Sequence, residues 1–290
     1  MSDRVIVWVL RLLWVSLPFT AGPVFVDALD TTRDSFRISV AIGLWSLWAI
    51  CLVALLVPHT WTLVIARVTA PGAVAAAIWA TAAAGSTATG AGALAVAGVT
   101  AVVSLSAPVG THHVNGTSYG DERRLLLRPP GPLLLGPIEL AWGVAVAGAL
   151  AGPLLLADEQ WIVGGIVAAI GIPAAFLALR ALHGLARRWI VFVPAGLVVH
   201  DVSSLVDPHL FRRVDIARVG PALADSTALD LTQAAPGLAL EIDLTGPMKI
   251  ARRHGRQRAV DPVETAAILI TPSLPGIVLA EADGRRITVG

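Results

Sequence analysis

The sequence predicts an α-helical transmembrane bundle of about six helices followed by a small antiparallel β domain. Three observations predict it. Of the 290 residues, 56% are hydrophobic and only 14% are charged, whereas soluble globular domains carry charge on about a quarter of their residues. The charge is uneven, because 12 of the 21 Lys and Arg and 11 of the 20 Asp and Glu fall in residues 187–290. At the same place the apolar runs change from stretches of about 20 residues, enough to cross roughly 30 Å of hydrocarbon, to short alternating ones. The expected organisation is therefore a transmembrane helical domain over 1–186 and a cytoplasmic β domain over 187–290.

Composition also sets aside several classes of function. A net charge of +1 offers no concentrated basic face, so nucleic acid is not an expected partner. Cys51 is the single cysteine, which leaves neither a disulfide framework nor a CxxC pair. No HExxH, GxSxG or P-loop pattern occurs, so the expectation is a non-enzymatic protein without a cofactor. Every basic residue except Lys249 is Arg, in a chain rich in Ala, Val and Gly, a composition typical of high-GC bacterial coding.

The spans are predicted at about 5–26, 38–57, 62–83, 89–107, 132–156 and 161–183. The first resembles a signal peptide, but Arg11 interrupts its apolar run and no small-x-small cleavage site follows, so it is expected to stay as a helix. Pro71 interrupts the third span, and the short uncharged connection from Gly85 to Gly90 predicts a tight hairpin with the fourth. Cytoplasmic loops are enriched in Lys and Arg. An inside N-terminus puts Arg4, Arg123, Arg124, Arg128, Arg187 and Arg188 in the cytoplasm. The other side then receives Asp27, Asp30, Asp34, Asp158 and Glu159, with Arg33 and Arg37 as exceptions. Both termini are expected in the cytoplasm of a bacterial inner membrane. Helix association in lipid relies on small residues, and Gly148 with Gly152, and Gly164 with Ala168, have the spacing for it. Chance in an Ala- and Gly-rich chain gives the same spacing. Trp61, Trp161 and Trp189 fall near span ends, where an indole suits the headgroup region.

After Arg188, the runs WIVFV (189–193), GLVVH (196–200), FRRVDIARV (211–219), ALDL (228–231), LALEIDL (238–244) and AAILI (266–270) have strand length. In LALEIDL, Leu and Ile alternate with Ala239, Glu241 and Asp243, which predicts one buried and one wet face. The intervening MKIARRHGRQRAVDP reads as a basic hairpin or loop, and Pro275 onward as a short closing helix with Ser273 as its N-cap. The opening hairpin RRWIVFVPAGLVVHD, the meandering strands and the closing ITPSLPGIVLAEA together resemble a bacterial pleckstrin-homology-like domain. The whole chain resembles uncharacterised actinobacterial polytopic membrane proteins through LPFTAGPVFVDALD and GTSYGDERRLLLRPPGPLLLGP. The resemblance implies a docking surface for protein or lipid headgroups and no catalysis.

Ionisable groups inside a bilayer are costly, so each is a candidate functional residue. Arg11, Arg67 and Glu139 lie about seven residues from the cytoplasmic ends of their predicted spans, or about 10 Å deep. Glu139 is expected to pair with Arg11 or Arg67, leaving a positively charged recess, joined by Arg180, for an anionic lipid headgroup or other phosphate-bearing ligand. The plainer alternative is that the arginines snorkel to the interface. His112 and His113 have no third metal ligand in pattern, so no metal is expected. Asn115-Gly116-Thr117 matches a glycosylation sequon but would face a bacterial cytoplasm. The polar loop from Tyr119 to Arg124 either contacts the β domain or is simply solvated. In the β domain, Arg252, Arg253, Arg256 and Arg258 form the one strong basic run, a candidate surface for lipid or a partner, or an ordinary solvated loop. The leading expectation is an accessory or scaffold protein whose β module docks a protein or membrane lipid. A small transporter or lipid-handling protein using the arginine recess is the second.

Overall fold

The structure, a computed structural model, describes residues 3–85, 88–254 and 257–290. Backbone contacts divide the chain into two units, Met1–His113 with Glu139–His183 and Val114–Ile138 with Gly184–Gly290.

Among the described residues of the first unit, six helical stretches are long and apolar enough to cross a membrane: Arg4–Leu29, Asp34–Leu56, Thr60–Ala84, Ala88–Leu105, Pro137–Ala157 and Trp161–Leu185. The chain is accordingly a multi-pass membrane protein. The first stretch is two helices, α1 (Asp3–Thr20) and α2 (Gly22–Leu29), with Pro18 inside α1 and a proline opening α2. Val7, Leu10, Trp14, Leu17, Ala21, Val24 and Ala28 are all buried, a seam of alternating three- and four-residue steps that runs through the break. Helix α3 (Asp34–Leu56) follows, then α4 (Thr60–Ala84). The His59 ring Nδ1 accepts from the Trp61 N–H while the His59 backbone N–H donates to Thr62 Oγ1, a reciprocal cap that starts α4.

Helix α4 continues through Pro71 and stops at Gly85, whose φ of 80° is left-handed. Helix α5 (Ala88–Leu105) then returns against it. A Cβ at Gly90 would come within 2.5 Å of Thr81 Cγ2, so the expected tight hairpin is present. Helix α6 (Ala107–Asn115) follows, and α7 (Pro137–Ala157) and α8 (Trp161–Leu185) complete the helices of this part. The small residues of α7 do pack. A Cβ on Gly148 would lie 2.4 Å from the Gly171 carbonyl oxygen and one on Gly152 2.5 Å from Ala168 Cα, so the two backbones approach as closely as glycine permits.

The fifth span begins later than the 132 predicted. Gly131–Leu135 is a 3-10 turn ended by Gly136 at φ 133°. The prolines at 129, 130 and 132 remove backbone donors that an α-helix needs.

The second unit holds two four-stranded sheets. Strands β1 (Arg123–Leu126), β2 (Arg188–Val193), β3 (Gly196–Asp201) and β4 (His209–Arg212) form the first in that order. The second contains β5 (Ile216–Pro221), β6 (Leu229–Asp230), β7 (Leu240–His254) and β8 (Gln257–Ile270), ordered β5-β7-β8-β6. All neighbours are antiparallel except β6 with β8. Both sheets and the closing helix α9 (Pro275–Gly284) share one core, to which Phe192, Leu197, Phe211, Ile242, Ile268 and Val278 contribute fully buried side chains. The alternation of LALEIDL is realised at Leu240, Ile242 and Leu244, all buried. The stretch FRRVDIARV divides into the end of β4, a 3-10 turn and β5.

Two features depart from expectation. Strand β1 comes from the loop between α6 and α7, with Leu126 opposite Trp189, so residues 114–138 fold with the C-terminal segment. Leu125 and Leu127 enter the common core, which compensates the entropy of ordering the loop. Ser273 does not cap α9. The cap position is Leu274, without a side-chain hydrogen bond, and the Ser273 N–H donates instead to the Leu126 carbonyl at 2.8 Å, at the β1 edge.

Candidate functional site

Arg11 sits on α1 and its Nε donates to the Leu55 carbonyl at 3.0 Å, with the guanidinium 4.9 Å from the Trp8 ring centre. Leu55 belongs to the last turn of α3, whose carbonyls have no helical donor. Arg11 thus caps the negative end of α3 and gains a helix-dipole interaction. Glu139 makes no ion pair with Arg11 or Arg67 among the described residues. The expected depth came from starting the span at 132. With α7 beginning at Pro137, Glu139 occupies its first turn and is exposed, where a carboxylate meets the free N–H groups. Arg180 is exposed on α8 and does not join the other two through any hydrogen bond or ion pair among the described residues.

Arg67 is different. Leu63, Ala66 and Ala70, its neighbours on one face of α4, are 0, 0 and 1% exposed, so its stem is directed toward the bundle, and the residue as a whole is half-buried. Its Nε is buried without a hydrogen-bond partner. His113 on α6 is fully buried. The His113 Nδ1 is 3.0 Å from the Val109 carbonyl, and since a carbonyl only accepts, Nδ1 carries the proton. Nε2 is left buried without a hydrogen bond, the Ala54 carbonyl approaching the ring without completing one. Burial pushes His113 down to about 4, with the His112 and Arg67 charges adding to the effect. The His112 and His113 rings meet edge to face at 5.6 Å. Among the described residues no group of three His, Cys, Asp or Glu is arranged to hold a metal.

In the β unit the strongest polar cluster is one that sequence reading missed. Arg188, 2% exposed, makes a two-pronged contact with Asp201, each bond 2.8 Å. The Ser203 and Ser204 hydroxyls donate to the same carboxylate, and Arg188 also donates to the Arg128 carbonyl. Burial alone would raise the Asp201 pKa, but the Arg188 guanidinium and the two hydroxyls hold it below the usual carboxylate range. The signal lay in the hairpin: a turn at Pro194-Ala195 fixes the register that sets Arg188 opposite Asp201. Beside this pair, Trp189 stacks on His200 at 4.4 Å and Arg124 lies 5.7 Å from the Trp189 ring centre. A shallow open groove is lined by Asp121, Pro194, Glu281 and Arg285, where Glu281 is engaged by Arg123 at 2.6 Å and Arg285 at 2.7 Å.

The basic run is partly described. Arg252 and Arg253 lie on β7, where the Arg253 N–H donates to the Ser204 carbonyl and the Val206 N–H to the Ala251 carbonyl. The segment 204–206 therefore covers that edge, and Arg252 and Arg253 are each half-buried. Arg258 belongs to β8, and Arg256 lies outside the described residues. Comparison with known protein families, curated proteins and solved structures finds no match to this chain.

Proposed function

We propose that the protein is a non-enzymatic accessory or scaffold of the bacterial inner membrane, whose cytoplasmic β module docks a protein or lipid partner in the manner of a pleckstrin-homology-like domain. The observation that carries this reading is the construction of the β unit, two four-stranded sheets around one core closed by the C-terminal helix α9. Folds of this design present loops and edges as binding surfaces on a rigid body. The concentration of arginine at one set of loops supports cytoplasmic termini. Arg33, one exception to that asymmetry, is paired with Glu159 and Arg37 with Asp34, so each is neutralised locally. Arg252, Arg253, Arg256 and Arg258 are the docking residues in this reading. The test compares proteins that co-purify in mild detergent with the full chain and with an Arg252→Glu/Arg253→Glu variant. A partner retained by the first and lost from the second supports docking, and identical profiles reject it. Reporter fusions at the C-terminus check the orientation.

A second reading, a transporter or lipid-handling protein working through the arginine recess, is favoured by one observation. Arg67, half-buried on α4, has its Nε buried without a hydrogen-bond partner or a counter-charge from the described residues. Movement of labelled lipid between leaflets of vesicles containing the full chain, compared with Arg67→Met, tests it.

A further inference from the structure

Between β1 and α7 the residues from Pro129 to Ile138, PPGPLLLGPI, carry no polar side chain. The 3-10 turn Gly131–Leu135 within them has no buried residue. Leu135 is 86% and Leu134 39% exposed, and Pro132 and Pro137 are exposed beside them. Apolar surface of this kind is costly in water and marks a place that something covers. Its position in the chain says what the cover is. Leu135 stands two residues before Pro137, where α7 begins, and α7 is one of the six stretches long and apolar enough to cross the membrane. Two residues of extended chain reach about 7 Å, so the turn cannot leave the neighbourhood of the bilayer surface. Leu140 and Val144, both exposed, continue the apolar surface along α7.

The backbone of the segment also suits lipid. An unpaired N–H is expensive where water is scarce, and the prolines at 129, 130, 132 and 137 have none. The Gly131 N–H donates to the Gln233 carbonyl at 3.2 Å and the Leu133 N–H to the Pro130 carbonyl at 3.1 Å. Glu139, exposed in the first turn of α7, keeps the junction level with the headgroups, where a carboxylate stays hydrated. The turn is therefore placed to enter the leaflet shallowly, about 5–10 Å into the boundary between headgroups and acyl chains, as interfacial segments do. Its other side is fixed to the β unit. A Cβ on Gly131 would lie 2.1 Å from the Ala234 carbonyl oxygen, and the Gln233 side chain donates to Ser204 Oγ at 3.0 Å. Gln233 and Ala234 hold left-handed φ angles of 54° and 55°, which residues other than glycine keep only where their surroundings hold them.

We propose that the turn Gly131–Leu135 is a membrane foot of the β unit. Leu134 and Leu135 insert into the leaflet from which α7 departs, and through Gly131 they seat the Gln233–Ala234 turn at that surface. The partner is the lipid bilayer itself. The inference stands apart from the docking reading, because it uses none of Arg252, Arg253, Arg256 and Arg258, and the failure of either leaves the other intact.

The experiment uses the full chain with Cys51→Ala, which removes the single native thiol, and Leu135→Cys carrying an environment-sensitive fluorophore. The labelled protein is reconstituted in phosphatidylcholine vesicles. Part of the lipid carries a quenching doxyl group, either near the head of the acyl chain or near its middle. The label is expected to emit to the blue of its position in water and to lose more emission to the shallow quencher than to the deep one. The proposal is overturned if neither lipid quencher acts. Quenching by iodide would then leave the turn in water, and protection from iodide would mean that protein covers it. A stronger effect from the deep quencher also overturns the proposal, since the turn would then belong to the span. Leu135 is almost wholly exposed, so the substitution is not expected to disturb folding, and Leu134→Cys repeats the measurement beside it. Ala234→Cys reads the seating of the β unit. Its label is expected to be quenched by phosphatidylcholine bearing the nitroxide on the headgroup, and absence of that quenching rejects the seating.

Discussion

Trp14 and Trp48 each donate an indole N–H to the other's backbone carbonyl, at 2.9 and 3.0 Å. The exchange joins α1 to α3 and has a covalent origin. The amide that would bond to the Trp14 carbonyl belongs to Pro18, four residues on, which has no N–H. Trp48 supplies the missing donor. The Trp48 carbonyl, inside α3, has a helical donor as well, so the two halves of the exchange are unequal. Trp48→Phe is expected to destabilise the protein by about 1.5 kcal/mol, leaving a carbonyl unmet, and Trp14→Phe by about 0.6 kcal/mol. Unfolding of the two variants in mixed micelles measures the difference.

Removing one partner of the Arg188–Asp201 pair strands a buried charge. Arg188→Met or Asp201→Leu is expected to cost about 3–5 kcal/mol, and the double variant distinctly less than the sum, because an apolar pair of similar volume fits the same space. Hydrogen exchange of the β2 and β3 amides in the full chain reads the effect.

Acid should weaken the β unit in two stages. Burial lowers the pKa values of His200 and His209, so the unfolded chain takes up protons first, and stability falls as pH drops below the unfolded histidine value of about 6.5. The depressed Asp201 contributes stability above its unfolded value near 3.9. That contribution is lost as pH falls further, through the folded value. The expected record is a loss near pH 6 followed by a second below about 4. The second is smaller in Asp201→Leu but kept in part by Glu281, which, despite its burial, its Arg285 and Arg123 contacts also hold below the usual range. Circular dichroism of the β signal against pH separates the two.

The α7–α8 seam predicts a size limit. Gly152→Leu places a side chain where even a Cβ would meet Ala168, and a loss of about 2 kcal/mol is expected from overpacking. Gly165→Leu on α8, where a Cβ meets nothing within 4 Å, should leave the unfolding transition nearly unchanged.

Helix positions and the strands after 188 were legible because long apolar runs and period-two alternation are local signals. Glu139 was misplaced because hydropathy alone does not distinguish the 3-10 turn at Gly131–Leu135 from the first turn of a span, whereas its prolines do. Strand β1 was hidden for another reason. Arg123 and Arg124 are half-buried and Leu125 and Leu126 both buried, so the strand lacks alternation, and its partner is some sixty residues away. The inward direction of Arg67 was invisible as well, since it depends on which neighbours cover α4. The Arg188–Asp201 contact was readable in principle from the hairpin turn, but Arg188 looked like one more charge flanking a span.

Because Leu126 pairs with Trp189, the ribosome completes the first edge of the β unit only after both intervening helices have been made, an interval of roughly 3–12 s at ordinary rates of translation. Until then Leu125 and Leu127 wait without their core. A chain that stalls or misinserts during that interval keeps this strand unpaired and sticky, and so becomes recognisable to quality-control proteases. Completion of the β unit therefore certifies that the last two helices have been delivered.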